Sequence, residues 1–109
     1  NSQMFFAKEI LSVIEPKSQI YCVSSIEEAL AWVGQRHEGI QKLSRDDPSL
    51  VSRTLCNARA GSYLVIGEKN YTSLLKYTEA IPVELVISHK VGHEKTMLFR
   101  LGKKTSETP

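Results

Sequence analysis

The chain has 109 residues, 41% of them hydrophobic and 24% charged, with two cysteines and a formal net charge of +2. That length predicts one domain able to bury ~65% of its unfolded surface without staples, and the composition excludes collagenous, disordered and disulfide-dense chains. No apolar run approaches the ~20 residues a spanning helix needs, which argues against a membrane role.

The first segment, Phe5 to Glu15, places Phe6, Ile10, Val13 and Ile14 on one face of a helix that Pro16 stops. It lacks the basic region and long apolar stretch of a signal peptide. "SQIYCVS" predicts a strand from Gln19 to Val23. A helix follows in "SSIEEALAWVGQR", with Ser25 and Glu28 as a capping box and Ile26, Leu30 and Val33 facing inward. Residues 37–46 are polar around two isolated apolar residues, Ile40 and Leu43, and read as a loop. "DPSLVSRTLCNARAG" predicts a helix with Asp47 as N-cap, Pro48 at its first position, Val51, Leu55 and Ala58 inward and Gly61 past its end. "SYLVIGE" is an apolar run with no alternation, expected of a strand covered on both faces. "NYTSLLKYTEA" predicts a helix capped by Asn70, with Tyr71, Leu74, Leu75 and Thr78 on one side. Two strands then form a hairpin, and the polar tail 104–109 is expected to be flexible.

The hairpin's register follows from matching side chains. A three-residue loop at Val91, Gly92 and His93 pairs Val83 with Leu101, Glu84 with Arg100, Leu85 with Phe99, Ile87 with Met97 and Lys90 with Glu94. Each pair is alike or complementary, as cross-strand energetics favour. A two-residue loop at Gly92 and His93 sets Leu85 against Arg100 and loses that agreement. The predicted fold is therefore a single α/β or α+β domain, residues 1–103. Its elements run α-β-α-α-β-α-β-β, and its four-stranded mixed sheet ends in an antiparallel hairpin.

Charge is uneven. Residues 1–50 hold five basic and seven acidic side chains, and residues 51–109 hold nine and five. The basic excess gathers at the hairpin, where His89, Lys90, His93, Lys95 and Arg100 are the candidate binding residues for a phosphate or an acidic partner. As a nuclease, the chain would use His89, His93 and Lys95 for acid–base work. The lack of an acid near His89 and Lys95 in that register predicts one contributed from elsewhere in the fold or by a partner.

Other candidates have ordinary explanations. Asp46 and Asp47 could pair on a metal, but helix capping accounts for Asp47. Gly67 stands after a strand and before a helix, where open α/β sheets bind ligands; a single glycine there is turn geometry. Ser49, Ser52, Arg53, Asn57 and Arg59 are side chains of DNA-reading type on a predicted helix. Trp32 and Tyr21 read as core or rim. Cys22 and Cys56 read as reduced, buried thiols in a cytoplasmic setting.

The stretch "KYTEAIPVELVIS" resembles the thioredoxin pattern, in which a helix ends, an Ile-Pro bond follows and a hairpin strand begins. The resemblance implies a cis proline at Pro82 facing a reactive cysteine. The chain departs from that family in having no CxxC and no helix after the hairpin. Weighed together, the residues predict a small non-enzymatic protein of immunity, adaptor or regulator type, as found in bacteria and phages, binding another protein without metal or cofactor. The alternative is a nucleic-acid-associated protein or small RNase toxin using the basic hairpin.

Overall fold

The computed structural model describes residues 1–77, 81 and 83–102. In chain order the elements are α1 (Ser2–Val13), β1 (Ile20–Val23), α2 (Glu27–Gly34), β2 (Ile40–Lys42), α3 (Pro48–Cys56), β3 (Tyr63–Gly67), α4 (Glu68–Leu74), β4 (Val83–Val91) and β5 (Glu94–Leu101). They form a single compact α+β domain around one five-stranded mixed sheet in the order β2-β1-β3-β5-β4.

The apolar run of β3 explains the sheet's centre. All five of its residues are buried. Tyr63 and Val65 point to one face, among Phe6, Ile10, Ile26 and Leu30 of α1 and the α2 region. Leu64 and Ile66 point to the other, with Val51 and Leu55 of α3 and Leu74 of α4. A strand pleats with period two, so a strand covered on both faces needs an apolar residue at every position. β1 obeys the same rule: Ile20 and Cys22 face α1 and α2, and Val23 faces α3 and α4.

Five strands form where four were expected. The segment around Ile40 and Leu43 is not a loop throughout, because Ile40–Lys42 pairs in parallel with Ile20–Cys22. Ile40 packs on the α1/α2 face and Leu43 is buried on the other. Three residues are too few to show a period, so only pairing reveals the strand.

Helix limits also shift. α1 begins at Ser2, with the Asn1 side chain accepting from Met4 N–H at 2.9 Å. α2 has no side-chain cap; the Ser25 hydroxyl instead accepts from Gln3 Nε2 at 2.9 Å. Asp47 does cap α3, accepting from Leu50 N–H at 3.1 Å with Pro48 in the first turn. That helix ends at Cys56, before Gly61. α4 starts two residues before the expected cap, Asn70, with Gly67 in the N-cap position. The tail 104–109 and Pro82, on which the thioredoxin expectation turns, lie outside the described residues.

The hairpin combines the two registers that the sequence set against each other. At its far end Glu84 faces Arg100 and Leu85 faces Phe99, as expected. Nearer the turn the pairing slips by one residue. Ile87 faces Leu98, His89 faces Thr96, Lys90 faces Lys95 and Val91 faces Glu94, and the irregularity lies between Leu85 and Ile87. The expected pairs Ile87–Met97 and Lys90–Glu94 are therefore not formed. The loop has two residues, with Gly92 at φ +65° and no positive φ at His93, the pattern of a type II′ turn. A bulge absorbs the extra residue, leaving Val86 and Ile87 both against the α1/α2 face.

Candidate functional site

The parallel strands β1, β2 and β3 all end at one edge of the domain, and the β4–β5 turn stands at the same end because β5 is antiparallel to β3. Connections leave the adjacent strands β1 and β3 for opposite faces, to α2 and α4 respectively. Such a divergence opens a crevice at the strands' carboxyl ends. Here it measures about 650 Å³ and includes Ser25, Ser44, Arg45, Asp46, Gly67 and Glu94 among its lining residues. Ser25, Asp46 and Gly67, far apart in sequence, thus meet at one place. Glu94 reaches over Gly67 and accepts from Lys69 N–H at 3.3 Å. A Cβ at residue 67 would come within 2.6 Å of that carboxylate, so the glycine makes room for it. Asp46 and Glu94 offset Lys42 and Arg45, and the crevice carries no strong charge.

The basic hairpin cluster does not converge. His89 lies on the α1 face, its ring stacked on Phe6 at 5.7 Å between centroids, with Nδ1 3.5 Å from Glu9 Oε1. The acid expected near His89 is therefore Glu9. Lys90 and Lys95 face each other across the ladder and project from the opposite side of the hairpin, since side chains alternate along a strand. His93 is in the turn. Arg100 lies at the other end of β5, 3.9 Å from Glu84 Oε1. The fold thus separates His89 from Lys95 by the thickness of the sheet and Arg100 from the rest by roughly 17 Å of strand. Among the described residues, no group of three or more His, Cys, Asp or Glu is placed to hold a metal.

The helix considered for DNA reading packs Val51 and Leu55 inward and also buries Ser52, which removes one of its expected outward contacts. Arg53 donates to Ser49 Oγ at 3.1 Å. Cys22 is fully buried, and burial together with the nearby Glu27 carboxylate pushes its thiol from an ordinary 9.0 up to about 12. A thiol so raised is a poor nucleophile at neutral pH.

The second large hollow lies along the β2 edge of the sheet, between α2 and β2, and shares Lys42 with the first. It is a groove of about 790 Å³ whose walls include Glu27, Glu28, Ala31 and Trp32 from the helix and Ile40 and Lys42 from the strand. Trp32 is 76% exposed, which corrects its reading as core or rim. The signal was present in the sequence. Taking Ile26, Leu30 and Val33 as the inner face puts residue 32 well round the helix, in the outward stripe Glu28, Ala31, Trp32 and Gln35. Lys42 Nζ lies 3.5 Å from Glu27 Oε1, while Glu27 Oε2 is buried without a hydrogen-bond partner. The chain matches no protein-family model, no curated protein and no solved structure.

Proposed function

We propose that this domain is a non-enzymatic interaction module of regulatory type, that its partner is another protein, and that the groove between α2 and β2 is its recognition surface. The observation that supports this reading is Trp32, 76% exposed at the groove's wall. A tryptophan side chain carries ~150–250 Å² of surface, mostly apolar. At ~25 cal/mol per Å² that is several kcal/mol available to whatever covers it. Tryptophan is also among the residues that dominate binding energy at protein interfaces. A reducing, cytoplasmic setting suits the two thiols.

The lysine pair at the hairpin favours the rival reading. Among the described residues, neither Lys90 nor Lys95 has an ion-pair partner, so both are available to a phosphate backbone. Affinity capture with the wild type, Trp32→Ala and the double variant Lys90→Ala/Lys95→Ala separates the two. The expected result is a protein captured by the wild type and the lysine variant but lost with Trp32→Ala. Binding to RNA or duplex DNA that weakens steeply with salt, survives Trp32→Ala and fails in the lysine variant would overturn the proposal.

A further inference from the structure

We infer that the groove takes an arginine side chain from an extended segment of the partner, an inference that rests on the protein-partner reading above. Three features of the groove lead to it.

The first is charge. Glu27 and Glu28 bring two carboxylates against the single ammonium of Lys42. Glu28 has no ion-pair partner among the described residues, and one oxygen of Glu27 has no hydrogen bond. The Glu27 oxygen is already out of reach of water, but Glu28 is exposed, and an occupant that covered it without a donor would strand its carboxylate, at a cost that disfavours purely apolar ligands. A phosphate-bearing ligand would meet like charge. A cation answers both.

The second is the indole. Glu28 and Trp32 are four residues apart on α2 and so stand one turn from each other on the same face. A side chain lying along that face puts its head at the carboxylate and its stem over the ring. Guanidinium does this better than ammonium: it is planar, stacks on indole, and presents a fork of donors to a carboxylate.

The third is the strand. Ile40 and Lys42 line the groove, whereas Gln41 does not, as the alternation of β2 requires. β2 is the last strand of the sheet, with only β1 beside it, and its outer backbone groups have no strand partner among the described residues. An extended segment can pair with that edge while sending alternate side chains into the groove. Lys42, exposed and bridging to Glu27, is a competing positive charge on the same groove wall.

Trp32 is the chain's only tryptophan, so its fluorescence reports directly on the groove. The probe is a short, blocked, β-forming peptide with a central arginine, compared with the same peptide carrying glutamine there. The arginine peptide is expected to give a saturable change and to bind roughly five- to tenfold more tightly than the glutamine peptide. Glu28→Gln is expected to weaken it roughly threefold or more, and Lys42→Met to tighten it by a similar factor through removal of the competing cation. Thermal melts of both variants check that they fold.

Equal binding of the two peptides, no saturable response at millimolar peptide, or indifference to Glu28→Gln would overturn the arginine assignment. If the captured partner is nevertheless lost with Trp32→Ala, the protein-binding reading stands and only the arginine falls. If Trp32→Ala retains the partner while the arginine peptide binds as expected, the groove recognises a cation that the partner does not supply, and the inference fails.

Discussion

At one edge of the sheet β4 runs for nine residues; at the other β2 runs for three. The long edge is the greater hazard, because a row of unpaired backbone groups invites another strand. It is also the more heavily guarded. A bulge interrupts its ladder at Val86, Glu84, Ser88, His89 and Lys90 are exposed along it, and Lys90 stands opposite a second lysine. The short edge has no bulge, and the helix beside it leaves an indole uncovered. The long edge exposes one large apolar side chain, Leu85 at 52%, set among charged and polar neighbours, whereas the larger and more exposed apolar group, the Trp32 indole, stands beside the edge with the least backbone to offer. That asymmetry is what recommends β2 and α2 as the place a specific partner docks.

The comparison can be broken at its centre. Phe99 sits on β5, buried on the α3/α4 face and stacked on Tyr71 at 4.7 Å between centroids, and β5 alone ties β4 to the rest of the sheet. Phe99→Ala is expected to cost ~3–5 kcal/mol in denaturant unfolding and to raise hydrogen exchange in β4 well above that in β1. A loss below ~1 kcal/mol would mean that β4 is held by something other than this core.

On the β2 side, Cys22 supplies a pH test. Its thiol is raised in the folded state from 9.0 to about 12, so the unfolded chain releases its proton first. The contribution is fully present below pH 9 and is lost as pH rises towards 12, at up to about 1.4 kcal/mol per pH unit. Urea melts from pH 8 upward should show this fall, and Cys22→Ala should flatten it. An unchanged slope in the variant would assign the alkaline loss to other groups.

Truncations on either side of the bulge sharpen the account of β4. Ile87 is half-buried against the α1/α2 face and Leu85 is 52% exposed. Ile87→Ala should cost about 2 kcal/mol and Leu85→Ala under ~1 kcal/mol. The reverse order would restore the unbulged register. The smallest effect expected is a gain. Lys90→Glu turns a like-charge cross-strand pair into an opposite one and should stabilise by ~0.2–1 kcal/mol, less at high salt; no gain in low-salt melts would show that the two ammonium groups already avoid each other.

Much of the fold was legible. The uninterrupted apolar run of β3, the cap and proline that open α3, and the match of Glu84 with Arg100 are local or near-local signals, and each appears in the structure where the sequence put it. The candidate site was less legible. The basic residues near the turn are close in the chain, and the unslipped register sets His89 opposite Lys95, yet the one-residue slip beyond the bulge pairs Lys95 with Lys90 and leaves His89 on the other face. Trp32 reads as core or rim because a large aromatic residue is usually inside, although the helix's own inner stripe points it outward.

What the sequence by itself determined was the type and order of the long elements and which of them are covered on both faces, because those follow from periodicity and turn chemistry within a few residues. Tertiary structure alone decided three things. Ile40–Lys42 became a strand because β1 offered an edge to pair with. The bulge at Val86 let a two-residue turn coexist with the Leu85–Phe99 pair, since the packing of two separate faces had to be satisfied at once. Glu94 left the lysine expected to neutralise it for the Lys69 N–H beside Gly67, a partner 25 residues earlier in the chain. Each is a choice between locally equal options, settled by free energy from contacts distant in sequence.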